Sequence, residues 1–445
     1  MIHSPIQRTV LTLFLASLAF SATAQDAGLW TLRRCIDYAL QNNIQIKTQE
    51  VALETAEASL EQAKAAQYPT LNFSSSFGAN FHNVNTYNEY MEKTAGVSMS
   101  NNFGLNSGLT LYQGGRLRNT VKQSQVQRDA TELDTEQARI DLEISVAQAF
   151  LQVLYNHEAL DLNRQAEELS ARQVERGEQL FQAGSISRVE LAQLKSQHTS
   201  DQYQTVSAEN TLEASRLKLK QLLELGLDQP FDIQYPPVDD AVVGAPIPDL
   251  ADVYAEALAT LPQMRSSALD IESADLAVKI AKGSAMPSIS MNAGLSTGYS
   301  SGTGVTYFDQ LGNKLGESVG LNLSLPIFNN KQVRTNVRRA ELQLENARLQ
   351  EESTRKQLLS TLESLRNDAV SAQQRYFASK AQLEASTESF RLVTEQFNAG
   401  IKNTVELLNE KNNYLNALSQ QLQAKYQALL AEKLLERYMN QPIDL

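Results

Sequence analysis

Four segments of the chain alternate between apolar and small polar residues, which is the two-residue period of a β-strand with two different faces. From Thr70 to Phe81 the even positions hold only Thr, Asn, Ser and Gly, while most odd positions are apolar. The same alternation runs through 97–111, 289–296 and 319–327. It predicts two β-hairpins, at about 69–112 and 287–328, whose outer loops are 82–96 and 301–316.

Between these hairpins the chain contains long stretches without helix breakers. No proline lies between Pro69 and Pro230, and no glycine lies between Gly115 and Gly177; a second such stretch ends at Gly400. Both are rich in Ala, Gln, Glu, Leu and Arg, which favour helices. At 1.5 Å per residue, each stretch predicts a helix of roughly 90–100 Å. Shorter helices are predicted at about 32–66, 188–225, 250–284 and 404–438, with Thr31 and Asp249 as N-caps of the two opening helices.

The chain is predicted to be an internal duplication. The segment FQAGSISRVEL at 181–191 recurs as FNAGIKNTVEL at 397–407. Each repeat contains a helix, a hairpin, a long helix, a tip turn and a helix, in that order. The predicted repeats are 25–225 and 251–445, joined by a proline-rich linker at 226–250.

The first residues have the features of an export signal. Arg8 precedes an apolar run at 10–20, and Ala22-Thr23-Ala24 forms a cleavage site of the A-x-A type. The apolar run is shorter than the roughly 20 residues that a membrane helix needs. The sequence therefore predicts a signal peptide at 1–24 and an exported protein.

The hairpins indicate contact with a membrane. Their apolar faces carry no charge, and each strand approaches the length that crosses a bilayer at a tilt. The alternative is a soluble hairpin pair that packs on a protein core. Four strands are fewer than the roughly eight of the smallest common membrane barrels, and an open edge in lipid leaves backbone groups unpaired. We therefore expect the chain to oligomerise through its hairpin edges and to form a conduit.

Composition excludes several other classes. The formal net charge of −12 argues against a nucleic-acid partner. The single cysteine, Cys35, excludes a disulfide framework, and the four scattered histidines do not suggest a metal site. Because there is no phosphate-binding glycine loop and no catalytic triad spacing, we expect neither an enzyme nor a cofactor.

Several motifs together resemble the TolC family of outer-membrane efflux and secretion channels. They are the opening segment WTLRRCIDYALQNN at 30–43, the strand entry Tyr68-Pro69, the strand exit YQGG at 112–115 and the duplicated Ala-Gly turn. The resemblance implies a mostly α-helical homotrimer with a twelve-stranded transmembrane β-barrel, four strands per chain, continued by a periplasmic α-helical barrel. The linker and the chain ends would form an equatorial girdle. The implied function is the passive exit duct of a tripartite efflux pump or type I secretion system in the outer membrane.

The same resemblance assigns roles to the two helical tips. A periplasmic adaptor, bound to an inner-membrane pump, would dock on the tip turns. The gate would combine Glu406, its counterpart Glu190, Lys402 as a pairing base, and Asn409 where some members carry a second acid. A ring of three Glu406 carboxylates would attract cations and raise the pKa of its members. The alternative is that Glu190 and Glu406 stabilise helix N-termini. The candidate docking residues are Gly184, Ser185, Ser187, Gly400, Asn403 and Thr404.

Two other functions explain less of the sequence. A periplasmic coiled-coil adaptor would have a short helical hairpin and a β-rich remainder. A structural coiled-coil protein of the envelope would not need long alternating strands or paired tip motifs. The sequence does not indicate the cargo.

Overall fold

A computed structural model describes residues 29–81, 97–226, 229–236 and 243–444. The predicted signal peptide, the outer loop at 82–96 and parts of the linker lie outside these residues. The helices and strands, in chain order, are α1 (Leu32–Asn42), α2 (Ile44–Ala65), β1 (Thr70–Phe81), β2 (Val97–Gln113), α3 (Arg116–Gln182), α4 (Arg188–Leu222), α5 (Leu250–Thr260), α6 (Pro262–Gly283), β3 (Ser288–Ser300), α7 (Tyr307–Asn313), β4 (Gly316–Ser324), α8 (Gln332–Asn398) and α9 (Thr404–Tyr438).

The two long helices are present as predicted. Helices α3 and α8 each contain 67 residues, which corresponds to about 100 Å at the α-helical rise. Each turns at its tip into a helix of 35 residues, α4 or α9. None of the helices in the described ranges combines the length and apolarity needed to cross a membrane.

The opening helix of each repeat is broken, so the prediction of continuous helices at 32–66 and 250–284 is wrong. The first break is at Asn43, whose extended backbone lets its side chain accept a hydrogen bond from the Gln45 N–H at 2.8 Å. The Asn43 side chain also donates to the Leu222 carbonyl at 3.0 Å, which fastens the break to α4. The second break is at Leu261, because the following Pro262 disfavours a helical residue before it and suits the first turn of α6.

The two predicted N-caps differ. The Thr31 hydroxyl accepts a hydrogen bond from the Arg34 N–H at 3.2 Å, as predicted. Asp249 is the N-cap residue of α5, as predicted, with extended backbone, but its side chain makes no capping hydrogen bond.

The four strands form one antiparallel sheet in the order β1-β2-β3-β4. The register places Phe73 opposite Leu105, and Leu105 opposite Leu295. Odd positions therefore share one side of the sheet, the apolar face, up to a bulge between Thr110 and Tyr112. The even positions, which hold Ser, Thr, Asn and Gly, form the polar face. Strand β4 ends at Ser324, before the predicted 327.

Most of the apolar face is left open by the rest of the described chain. Phe77 and Val319, on the outer strands, are 71% and 76% exposed, whereas Leu295 on the central strand β3 is 41% exposed. This face is an extensive exposed hydrophobic surface, and such surfaces mark contact with lipid or with another protein.

The largest buried cluster lies along the helices and brings distant parts of the chain together. Trp30, Ile233 and Ile443 are all buried in it, beside Phe150 of α3. Trp30 also pairs with Ile233 in a short parallel bridge. Cys35 is fully buried in the same cluster, and this burial raises the pKa of its thiol to about 12. The N-terminal segment, the linker and the C-terminal segment therefore meet at one level of the helices.

The passage from strand β2 to helix α3 depends on close backbone packing. Gly114 has φ +57°, and a Cβ on it would lie 2.3 Å from the Gly283 carbonyl oxygen at the end of α6. Gly115 has φ +76°, but its nearest neighbour, Asn119, is 3.9 Å away. Both positions favour glycine because of their positive φ, but only Gly114 also lacks the space for a β-carbon.

We expect Gly114→Ala to destabilise the protein more than Gly115→Ala. Both substitutions place a β-carbon in left-handed backbone at a cost of about 1–2 kcal/mol, but only Gly114→Ala also forces α6 away. Thermal unfolding followed by helical circular dichroism measures the difference. Equal losses in the two variants would mean that the contact with Gly283 is unimportant.

Candidate functional site

The turns that join the paired helices have the same construction in both repeats. We call residues 183–187 the first tip and residues 399–403 the second tip. Gly184 and Gly400 have φ of +76° and +75°. The Ser185 N–H donates to the Leu180 carbonyl at 2.8 Å, and the Ile401 N–H donates equivalently to Gln396 at 2.9 Å. This pattern satisfies the last carbonyls of α3 and α8 and reverses the chain, which is why glycine is required there.

Each helix that leaves a tip begins with a capping box. In the first tip, the Ser187 hydroxyl accepts from the Glu190 N–H at 3.2 Å, and the Glu190 carboxylate accepts from the Ser187 N–H at 2.7 Å. In the second tip, Asn403 and Glu406 exchange the same two hydrogen bonds at 2.9 and 3.2 Å. The two predicted gate acids therefore have a structural role in each chain.

Glu406 carries an additional ion pair. Its carboxylate lies 2.6 Å from the Lys402 ammonium nitrogen. The hydrogen bond from Lys402 lowers the pKa of Glu406, and the backbone N–H of Asn403 lowers it further. This direction is opposite to the rise expected for a ring of three carboxylates. Within one chain, the charge of Glu406 is already matched by its own neighbour.

Glu190 connects the first tip to the second. The backbone N–H of Ser187 is the main cause that lowers the pKa of Glu190, and the backbone N–H of Thr404 contributes to the same shift. Thr404 begins α9 and is fully buried. The start of α9 therefore lies close to the Glu190 carboxylate at the start of α4.

The structure places most of the predicted tip residues at the surface. Phe397 is buried, whereas its counterpart Phe181 is 41% exposed, so only one of the two packs as a core residue. Among the docking candidates, Thr404 is the buried exception. The candidates that are exposed are Gly184, Ser185, Ser187, Gly400 and Asn403, and the gate candidate Asn409 is exposed as well.

A buried ion pair near the tips was not predicted from the sequence. Lys411 of α9 is fully buried, and its ammonium lies 2.5 Å from a carboxylate oxygen of Asp201 in α4. It also donates to the Ala166 carbonyl of α3 at 3.3 Å. Its counterpart in the first repeat, Lys195, pairs with Glu178 and is 54% exposed. Because the two lysines occupy equivalent repeat positions, the sequence offers no signal that only one is buried.

The residues that the structure describes contain no group of three or more His, Cys, Asp or Glu side chains that could hold a metal ion. The tips instead combine surface turns, capped helix starts and paired charges. Such a site is suited to contacts with another protein and to the movement of helices.

The fold and its site define a class: a duplicated, elongated protein with paired helices, helical tips and a sheet that is apolar on one side. The sequence profile of the outer membrane efflux protein family matches residues 35–224 and 253–441. The chain therefore belongs to the outer membrane efflux protein family, which confirms the resemblance to TolC-like proteins. The family consists of efflux proteins of the outer membrane and not of enzymes, in agreement with the sequence analysis.

Similar proteins extend this result. The chain is 24% identical over 313 residues to the probable outer membrane lipoprotein SilC of Salmonella typhimurium, covering 70% of this chain and 64% of SilC. This chain thus spans less than two thirds of that relative. It is 22% identical over 350 residues to the pyoverdine export outer membrane protein OpmQ of Pseudomonas putida, covering 77% and 72% of the two chains. A solved structure of CusC, 18% identical, has a TM-score of 0.80 over 94% of this chain and 95% of CusC, which establishes the common fold.

We expect Lys411→Met to lower the free energy of unfolding by about 3–5 kcal/mol, because it leaves the Asp201 carboxylate buried without its partner. The matched control is Lys195→Met. Lys195 occupies the equivalent position in an exposed ion pair, so this substitution should lower the free energy of unfolding by only about 0–1 kcal/mol. Replacing Asp201 and Lys411 together by Leu and Met should recover much of the loss. Denaturant unfolding measures all three variants, and similar costs for the two single variants would contradict a structural role for Lys411.

Acid should loosen the start of α9. Because folding lowers the pKa of Glu406, its stabilising effect is present above the ordinary glutamate pKa and is lost as the pH falls through the lowered value. We expect amide hydrogen-exchange protection at 403–408 to fall over that range. Glu406→Gln keeps a side chain that suits the capping box but removes the titration, so its protection should not depend on pH.

Glu410→Gln is the control for this experiment, because Glu410 lies on the same helix outside the capping box. It should keep the acid response of the natural protein. If Glu406→Gln also keeps that response, Glu406 does not control it.

Proposed function

We propose that the protein forms the passive exit duct of a tripartite efflux pump or type I secretion system in the outer membrane. The observation that carries this proposal is the sheet, which has an exposed apolar face, an uncharged polar face and two unpaired edges, and which continues into helices of about 100 Å. A duct of this kind needs contact with lipid outside, water inside and enough length to reach a partner across the periplasm.

The edges of the sheet support an assembly of several copies. The outer edges of β1 and β4 have no partner strand within the described chain. In lipid, each unpaired backbone group costs several kcal/mol, so edge pairing between copies is strongly favoured. Three chains would supply the twelve strands of the homotrimeric barrel that the TolC resemblance implies. The long helices, which continue from the same hairpins, would then surround a common axis.

The polar face is suited to line the water-filled path. On the four described strands, its positions up to the bulge in β2 hold Ser, Thr, Asn and Gly, without a charged residue. Such a surface hydrogen-bonds with water but creates no strong field. Selection by charge in this duct would therefore arise at the helical end and not in the sheet.

The tips are our proposed site for docking and gating. A periplasmic adaptor, itself bound to an inner-membrane pump, would contact the exposed turns at Gly184 and Gly400. Those turns lead directly into the capping boxes of Glu190 and Glu406. Binding of an adaptor to the turns would therefore affect the first residues of α4 and α9. Lys402 and Asn409 complete the gate region, where Asn409 stands in the position of the second acid that some family members carry.

Conductance of the purified protein in a planar bilayer, measured beside its oligomer mass, tests the proposal. We expect a trimer with small, stable channels that multivalent cations block. Glu406→Ala should weaken this block, because it removes the carboxylate nearest the second tip, whereas Glu410→Ala should leave it unchanged.

Two outcomes would contradict parts of this proposal. A monomer without conductance would exclude the duct. Channels whose cation block is unaffected by Glu406→Ala would place the gate at another constriction.

A further inference from the structure

The segment 301–316, expected to be an outer loop, contains helix α7, and this helix is folded onto the apolar face of the sheet. The Thr297 hydroxyl donates to the Leu311 carbonyl at 2.5 Å, and the Asn101 amide donates to the Tyr307 hydroxyl at 3.1 Å. The rings of Tyr299 and Tyr307 lie 4.9 Å apart. The three strand residues occupy odd positions, so α7 lies on the side that carries the exposed Phe and Leu side chains.

A buried glutamine holds this segment in place. Gln310 is almost fully buried, and its side-chain nitrogen donates to Ser300, Thr303 and Val305 at 2.8–3.0 Å. Its side-chain oxygen accepts from the Ser300 N–H at 3.0 Å and from Lys314 at 2.9 Å. Because every hydrogen-bonding atom of this side chain is used, α7 has a defined position against the strand.

The exposed side of α7 carries Phe308 beside Asp309 and Asn313, and Leu315 follows shortly after the helix. Phe308 is 81% exposed and Leu315 is 61% exposed. Phe308 and Leu315 therefore add apolar surface next to the sheet face, with polar and charged side chains beside them.

The position of α7 along the strand fits the boundary of a bilayer. From Ile289, where the apolar face begins in β3, to Tyr299 the chain advances ten residues, or about 33 Å along the strand. At a tilt of about 40°, this distance corresponds to a height of about 25 Å, the usual height of the apolar band on outer-membrane sheets. Aromatic residues concentrate at the edges of such a band. Tyr299, Tyr307 and Phe308 lie at this end of the face, where the exposed Glu317 opposite Leu295 also interrupts the apolar positions.

We infer that α7 is a membrane anchor that lies in the outer boundary of the bilayer, with Phe308 and Leu315 in contact with lipid. The inference rests on the proposed function, in which the apolar face contacts lipid. The occupant is lipid because α7 continues the face itself and covers the polar side chains at its end. Fixing a helix there sets the depth of the sheet in the bilayer.

Tryptophan quenching by brominated phospholipids tests this contact. Phe308→Trp is compared with Leu321→Trp on the apolar face of β4 and with Asn322→Trp, its neighbour on the polar face. Trp30 is buried in the helical core, so the unsubstituted protein supplies the constant background. Each variant is reconstituted into vesicles of phosphatidylcholine brominated either near the headgroup or deep in the acyl chain.

We expect strong quenching of Phe308→Trp, greatest with bromine near the headgroup, strong quenching of Leu321→Trp, and little quenching of Asn322→Trp. Quenching of Leu321→Trp without that of Phe308→Trp would overturn the anchor while leaving the proposed function intact. Absence of quenching in both would overturn the proposed function as well. Leu315→Trp provides a second probe of α7, and its result should match that of Phe308→Trp.

Discussion

The open apolar face of the sheet is the feature on which the rest of the structure depends, because its surface must be kept from water. Antiparallel register keeps the odd positions of the four strands on one side up to the bulge in β2, and most of this apolar surface stays open within the described chain. Water is an unfavourable neighbour for such a surface, and the unpaired outer strands make lipid unfavourable for a single copy. Most of the remaining described residues form helices, whose apolar side chains are buried against one another. The sheet is thus the part of the chain that suits contact with lipid, and the helices are the part that suits contact with water.

The duplication explains why the same local structures occur in both repeats, and comparing the repeats shows where they differ. The glycine pair Gly114-Gly115 precedes α3, and the left-handed pair Asn330-Lys331 precedes α8 in the same way. One divergence lies near the tips. Lys411 is buried against Asp201 while its counterpart Lys195 is exposed, so the two hairpins are fastened to each other by the second repeat.

The features that the sequence predicted are those with a local cause. Alternation fixes the strands, the absence of breakers fixes the long helices, and glycine marks the tips. The break at Asn43 combines a local cap on Gln45 with a hydrogen bond to Leu222, far along the chain, and only the first is visible in the sequence. The break at Leu261 has a local cause in Pro262, which the helix prediction did not take into account. Helix α7 was missed because its position depends on one glutamine and on polar strand residues, which resemble an ordinary loop. The burial of Lys411 depends on the packing of three helices, and the lowered pKa of Glu406 depends on the geometry of Lys402.

The tip chemistry has a consequence for how a ring of Glu406 residues would behave. Three isolated carboxylates brought together repel one another, and protonation would relieve that repulsion and weaken the attraction for cations. Here each carboxylate is already hydrogen-bonded by the Asn403 backbone and paired with Lys402. It therefore retains its charge to lower pH, and bringing three copies together costs less. In our proposal, Glu406 belongs both to the capping box and to the gate. The ionised carboxylate that caps α9 is therefore also the form present when the tip closes, and closing needs no change of protonation.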